Sequence, residues 1–356
     1  PLLNIINFQT LIATKAARVC EAACGEPVLE FGLRRAQGID GALAAARAAY
    51  VGGCAGTSNV LAGKLFGIPV RGTHAHSWVM FFPDERASFA AYAAAMPNNC
   101  VFLVDTYDTL DGVRHAIAVG RELRARGHEL VGVRLDSGDL AHLSIEARKL
   151  LDQAGFPDAA IVASNDLDEG VITSLKQQGA AIAMWGVGTK LVTADEQPAL
   201  GGVYKLAAVA GPDGSWEHKI KLSEQSIKVT NPGILQVRRL VSGGRFVADV
   251  IYDRHSGVTG GARMHDIGDP TLERTVDPWD GHEDLLCPVV AGGQRTGPAP
   301  SLAEVRTRAR RQLDHIDPRT RRFLNPQTYP VGLDPVVHER KQRLIAQARA
   351  QTPSRG

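Results

Sequence analysis

The sequence predicts an α/β protein in two parts: a parallel sheet or barrel, and from near Leu200 a smaller domain of antiparallel strands. Short apolar runs alternate with helical patterns at intervals of roughly 20 to 30 residues, the period of βα units. Each run gives way at its carboxyl end to Asp, Asn, Ser, Thr or Gly, the residue types found at the active rim of a (β/α) barrel. Past Leu200 the spacing shifts to short alternating strands parted by Gly-rich turns, which read as hairpins.

Residues 2–23 carry apolar positions at helical spacing and predict a largely buried helix, with Lys15 and Arg18 on a solvated edge or facing a partner. Residues 28–31 form a short strand that leads into Arg34 and Arg35. Adjacent arginines read as surface. Directly after a strand they equally fit an anion site, because guanidinium grips carboxylates and phosphates through two parallel bonds. An alanine-rich helix over 40–50 ends at Gly52-Gly53, and Thr57-Ser58-Asn59 opens another that runs to Phe66. Arg71–Met80 then follows a short apolar run where a strand ends. A helix over 85–96 comes next.

Four strand–helix units follow. Strand 101–104 ends in Asp105-Thr106, and strand 130–135 in Asp136-Ser137-Gly138-Asp139. Strand 160–163 ends in Ser164-Asn165-Asp166, and strand 181–185 in Gly186-Val187-Gly188-Thr189. Helices are expected over 112–126, 140–154 and 168–178. Hairpin-like strands cover 203–209, 217–222, 236–240 and 245–251. A Gly/Pro-rich linker, 293–300, precedes two helices over 301–315 and 335–350 whose arginines read as solvated faces, and 351–356 reads as a frayed end.

With 356 residues, 44% of them hydrophobic, the chain can bury a large core, and a net charge of +2 gives no global field for nucleic acid or membrane. No apolar run approaches the roughly 20 residues a membrane helix needs, and no secretory signal is visible. The five cysteines are scattered without zinc or redox spacing, which fits reduced thiols in the cytoplasm.

His74 and His76 resemble the opening pair of a metal-dependent amidohydrolase, but that enzyme needs later strand-end histidines. His115 and His142 fall in helices and His128 precedes a strand, so a single reactive or phosphate-contacting histidine remains. Gly186-Val187-Gly188-Thr189-Lys190 reads as a phosphate loop at a late barrel strand. Arg134, inside an apolar strand, is costly unless it is paired or faces a ligand. Asp136 and Asp139 read as holding a ribose diol or a metal-bound pyrophosphate, with a helix cap as the simpler role for Asp139.

Taken together, Glu30-Phe31-Gly32-Leu33-Arg34-Arg35-Ala36-Gln37-Gly38, Gly72-Thr73-His74-Ala75-His76-Ser77, the strand ends above and Gly201-Gly202-Val203-Tyr204-Lys205-Leu206 resemble the nicotinate phosphoribosyltransferase family. The resemblance covers nearly the whole chain, with weaker matches at Lys221-Leu222-Ser223 and Asn325-Pro326-Gln327-Thr328-Tyr329. It implies an irregular (β/α) barrel of the type II phosphoribosyltransferase kind plus a smaller α/β sandwich domain. Residues 26–200 would form the barrel. Residues 201–356, and a helix within 1–25 belonging to an incomplete N-terminal part, would form the sandwich. Family members carry a further segment ahead of that helix, with an aromatic residue that stacks on nicotinate.

The reaction implied is coupling of nicotinate to 5-phosphoribosyl 1-diphosphate, giving nicotinate mononucleotide and pyrophosphate, with ATP as co-substrate and Mg2+ (or Mn2+) as cofactor. His76 would carry the phosphoryl group, with Asp105 and Asp136 catalytic. Thr73 and Arg134 would bind nicotinate. Arg34, Arg35, Ser164, Asn165, Gly186, Gly188 and Thr189 would hold the phosphoribosyl donor. The resemblance assigns no protein metal ligand, and it implies a homodimer with its active site at the interface. The alternatives are a nicotinamide- or quinolinate-using phosphoribosyltransferase, or a catalytically incomplete fragment that needs a partner chain.

Overall fold

The computed structural model describes residues 1–223, 228–259, 263–277 and 279–351, so the expected frayed end beyond Gln351 lies outside them. The chain divides into two compact units, residues 1–202 with 301–310 and residues 203–300 with 311–356.

Unit 1 opens with helix α1 (Leu2–Ala22), strand β1 (Val28–Glu30), a 3-10 turn (Leu33–Arg35) and α2 (Gly38–Gly52). Then come β2 (Gly56–Thr57), α3 (Val60–Phe66), α4 (His76–Phe81) and α5 (Glu85–Ala95). Strands β3 (Val101–Leu103), β4 (Gly132–Leu135), β5 (Ala160–Asn165) and β6 (Met184–Val187) alternate with α6 (Thr109–Ala125), α7 (Leu140–Gln153), α8 (Glu169–Gln177) and α9 (Thr189–Val192). The starts of α3, α5, α6, α7 and α8 are set by Asn59, Asp84, Asp108, Asp139 and Asp168, whose side chains accept from the first helical turn. Asp139 is therefore a cap, the simpler of its two expected roles.

The sheet runs β2-β1-β6-β5-β4-β3, parallel throughout. The last strand in sequence pairs with the first, so neighbours follow chain order around a circle, as in a barrel. Beyond β2 lies only a single parallel bridge, Thr57 to Val70. The strand expected before Arg71 is thus one residue of pairing, and residues 76–81 form a helix that periodicity does not announce. Strands β5 and β6 run further than expected, taking in Ser164, Asn165, Gly186 and Val187. Phe102, Leu103, Leu135, Ile161 and Trp185 are almost wholly buried in the core.

Helix α1, assigned from the sequence to a separate sandwich part, lies within unit 1 and packs on α2 and α8. Lys15 and Arg18 do not form a solvated edge. Lys15 is 5% exposed and its Nζ lies 2.7 Å from Glu169 Oε2, while Arg18 Nε donates to Oε1 at 2.6 Å. The buried carboxylate at the head of α8 holds two cations of α1, because an unpaired charge there would cost several kcal/mol. Arg306 is not a solvated face either. It stacks over Tyr50 at 4.2 Å and donates to the carbonyls of Gly53 and Cys54 that end α2.

Unit 2 contains the hairpin β7 (Ala208–Ala210) and β8 (Trp216–His218), shorter than expected, then β9 (Leu235–Ser242), β10 (Arg245–Asp253), β11 (Arg263–Asp266), β12 (Glu273–Thr275) and β13 (Gly281–Asp284). The chain continues through β14 (Val290–Ala291), β15 (Gln294–Arg295), α10 (Leu302–His315), α11 (Pro318–Arg321), β16 (Val331–Leu333) and α12 (Pro335–Gln351). Its larger sheet has the order β12-β11-β16-β10-β9-β13, with β16 parallel to β10 and the other pairs antiparallel. Leu240, Ala248, Val250 and Met264 form its core, and two-pronged Arg238–Asp284 and Arg239–Asp249 pairs tie neighbouring strands. Among the described residues no helix is long and apolar enough to cross a membrane, and all five cysteines are free thiols.

Between Val70 and β3 the circle of unit 1 has a seam, where no ladder forms among the described residues. His74 spans it. The backbone N–H of Leu103 on β3 donates to His74 Nε2 at 3.2 Å, which puts the proton of the neutral ring on Nδ1. The ring lies edge-on to Tyr92 at 5.0 Å and tilted against Phe89 at 5.7 Å. Burial lowers its pKa to about 4. Above the free-histidine value of about 6.5 the ring is neutral folded and unfolded; below it the unfolded chain takes up a proton that the folded chain refuses. Stability is therefore lost as pH falls. In urea unfolding, His74→Gln, which keeps an acceptor at similar reach, should remove about 2 kcal/mol of the stability lost between pH 7 and pH 5. An unchanged pH slope in that variant would contradict the seam assignment.

Candidate active site

The carboxyl ends of β1, β4, β5 and β6 surround an open cavity of about 470 Å³, and the seam segment forms another wall. Thr73, His76, Arg134, Asp136, Ser164, Asn165, Gly186, Gly188 and Thr189 all line it, as do Arg34 and Arg35 on the turn after β1. Asp105 is the exception among the expected residues. Its side chain is 1% exposed and sits behind the wall.

Arg134, on β4, is a lining residue held by several partners. Its Nε donates to Ser164 Oγ at 3.0 Å, its Nη1 donates to Thr73 Oγ1, and its Nη2 lies 3.5 Å from Asp136 Oδ1. Burial lowers the guanidinium pKa, and Asp136 and Asp105 act against that shift. Ser164 in turn donates to Asp136 Oδ1, and the amide of Asp136 and the hydroxyl of Ser137 both donate to Asp105 Oδ2, at 2.9 and 2.6 Å. One chain of bonds thus runs from the seam through β4 and β5 to the loop after β3.

His76 begins α4, and its side chain is 39% exposed. Its Nδ1 lies 3.1 Å from the hydroxyl of Thr106, while Nε2 lies 3.6 Å from Asp136 Oδ2 and 3.9 Å from Asp105 Oδ1. Nε2 thus faces two carboxylates. Asp105 Oδ1 is buried and has no hydrogen-bond partner among the described residues.

Phe31 was read as part of a strand. The strand ends at Glu30, and Phe31 turns onto the cavity, with the Arg134 guanidinium 5.8 Å from its ring centre. The ring also rests on β6. A Cβ on Gly186 would lie 2.7 Å from Phe31 ring carbons, and one on Gly188 would lie 3.2 Å from the Phe31 carbonyl oxygen. Gly186 is therefore glycine to seat an aromatic ring, a different reason from the amide cradle read in the loop. Glu30 is a further residue the sequence reading passed over. It is 1% exposed, accepts from the Gly32 amide and the Thr57 hydroxyl, and burial raises its pKa. It anchors the turn that carries Arg34 and Arg35.

Asn165 closes β5 at φ 133°, a conformation costing on the order of 1–3 kcal/mol for a side-chain-bearing residue and found where a site is held in shape. No group of three or more His, Cys, Asp or Glu able to hold a metal ion is present among the described residues.

The model of the nicotinate phosphoribosyltransferase (NAPRTase) family matches residues 27–214, and that of the nicotinate phosphoribosyltransferase C-terminal domain matches residues 235–341. Nicotinate phosphoribosyltransferase of Bacillus subtilis (strain 168) is 44% identical over 98% of this chain and 71% of its own length. The Homo sapiens protein of that name is 36% identical over 97% of this chain and 73% of its own length. The crystal structure of human nicotinic acid phosphoribosyltransferase superposes with a TM-score of 0.81 at 33% identity, covering 97% of this chain and 76% of the other. The ordered motifs, the circular α/β unit and these matches agree: the chain belongs to the nicotinate phosphoribosyltransferase family.

Proposed function

We propose that the chain is a nicotinate phosphoribosyltransferase, joining nicotinate to 5-phosphoribosyl 1-diphosphate in NAD salvage and coupling the reaction to ATP hydrolysis through a phosphohistidine at His76. The observation that carries the substrate reading is the stretch of cavity lining made by the Phe31 ring and the Arg134 guanidinium. It pairs an apolar flat face with a fixed cation held by Thr73 and Ser164. A flat aromatic carboxylate satisfies both surfaces. An uncharged carboxamide leaves the buried cation less well matched, which sets nicotinamide below nicotinate.

In the reaction, the pyridine nitrogen attacks the anomeric carbon of the donor as the bond to pyrophosphate breaks. Positive charge grows on the ribose and negative charge on the leaving group. Asp136 on the cavity wall would answer the first, with Asp105 behind it, and Arg34, Arg35 and Thr189 the second. Mg2+ typically takes one or two carboxylates plus phosphate oxygens, and Asp136, the carboxylate on the cavity wall beside His76, would hold it. When bound it would supply charge neutralisation for the leaving group. His76 Nε2 is the nucleophile toward the γ-phosphate, and formation and breakdown of the phosphoramidate tie ATP hydrolysis to tight substrate binding. A homodimer and a cytoplasmic setting belong to the same proposal, on the resemblance alone.

Two outcomes test this reading. Arg134→Gln should lower kcat/KM for nicotinate by about a hundredfold more than for nicotinamide, the worth of a desolvated charge-assisted pair, any loss of cavity shape being common to both bases. An equal loss for both bases would remove Arg134 as the carboxylate contact. Incubation with γ-labelled ATP should leave acid-labile label on the protein, and His76→Ala should abolish it. Label retained in that variant would contradict the phosphohistidine assignment.

A further inference from the structure

We infer that Thr106 is a positioning residue that reserves His76 Nε2 as the phosphorylated nitrogen. This rests on the phosphohistidine reading and goes beyond it by naming the atom and the group that selects it. The imidazole has two nitrogens of similar intrinsic nucleophilicity, and only its surroundings decide which one reacts. Here Nδ1 is taken up by the Thr106 hydroxyl at 3.1 Å, while Nε2 points at Asp136, a residue of the cavity wall.

A hydroxyl both donates and accepts, so Thr106 serves either neutral tautomer. With the proton on Nε2, facing Asp136 and Asp105, Thr106 donates to the Nδ1 lone pair. With the proton on Nδ1, Thr106 accepts, and the Nε2 lone pair is free. In the transfer step Nε2 forms a bond to the γ-phosphorus while the bond from that phosphorus to the β,γ-bridging oxygen breaks, and the electron pair leaves on ADP. The step proceeds from the second tautomer, whose Nε2 carries no proton. The proton on Nδ1 remains bonded to Thr106 through the step. Thr106 follows Asp105 directly at the end of β3, so the hydroxyl and the second carboxylate facing the ring come from adjacent residues of one strand end.

The experiment is to phosphorylate the full chain with ATP and identify the modified nitrogen by phosphorus NMR, in wild type, Thr106→Ser and Thr106→Val. The expected result is label on Nε2 in wild type and Thr106→Ser. In Thr106→Val, an isosteric change, phosphoryl transfer should be about tenfold slower, the worth of one hydrogen bond, and the remaining label should divide between Nε2 and Nδ1. A merely structural role would slow transfer without moving the label. Wild-type label on Nδ1, or Thr106→Val matching wild type in both rate and position, overturns the inference and leaves the phosphohistidine intact. Wild-type protein with no labelled histidine overturns the phosphohistidine reading itself and the inference with it.

Discussion

The guanidinium of Arg134 is the constraint on which the site depends. A cation placed in an apolar strand must be satisfied on every side, and its partners come from separate parts of the chain: Thr73 in the seam, Ser164 on β5 and Asp136 just past β4. Satisfying it fixes the seam segment against the sheet. That in turn sets the start of α4, and with it the position of His76 relative to Asp136 and Asp105. The charge proposed to meet an anionic substrate is thus also the tie that shapes the cavity.

The two histidines of the seam differ in burial. His74 is 7% exposed, kept neutral and bonded to a strand edge, so it does for the sheet what a missing backbone ladder would do. His76, two residues on, is on the cavity wall and among carboxylates. The barrel is irregular beside the cavity: a side chain, His74, replaces a strand ladder at the seam, and His76 follows it on the cavity wall.

Much of this was legible in the sequence, and the rest was not for definable reasons. Polar strand ends placed Asp136, Ser164 and Asn165 on one rim because a parallel sheet in chain order brings successive carboxyl ends together. Arg134 stood out because a charge inside an apolar run demands a partner. Glu30 carries the same signal, yet one carboxylate near the end of a short strand is equally an edge residue, and its burial became clear only from Thr57 and Gly32. Phe31 could not be told from a core strand residue, since turning it onto the cavity depends on Gly186 of β6, five strands later in the chain. The seam, the helix at His76 and the Lys15–Glu169 pair are tertiary outcomes with no local period to announce them.

The most direct test of the account is to measure products from the purified chain given nicotinate, 5-phosphoribosyl 1-diphosphate and ATP with Mg2+. The account predicts that nicotinate mononucleotide and ADP accumulate together, that omitting ATP sharply raises the nicotinate concentration needed, and that nicotinamide substitutes poorly. Preference for nicotinamide, or ADP release unlinked to nucleotide formation, would contradict it.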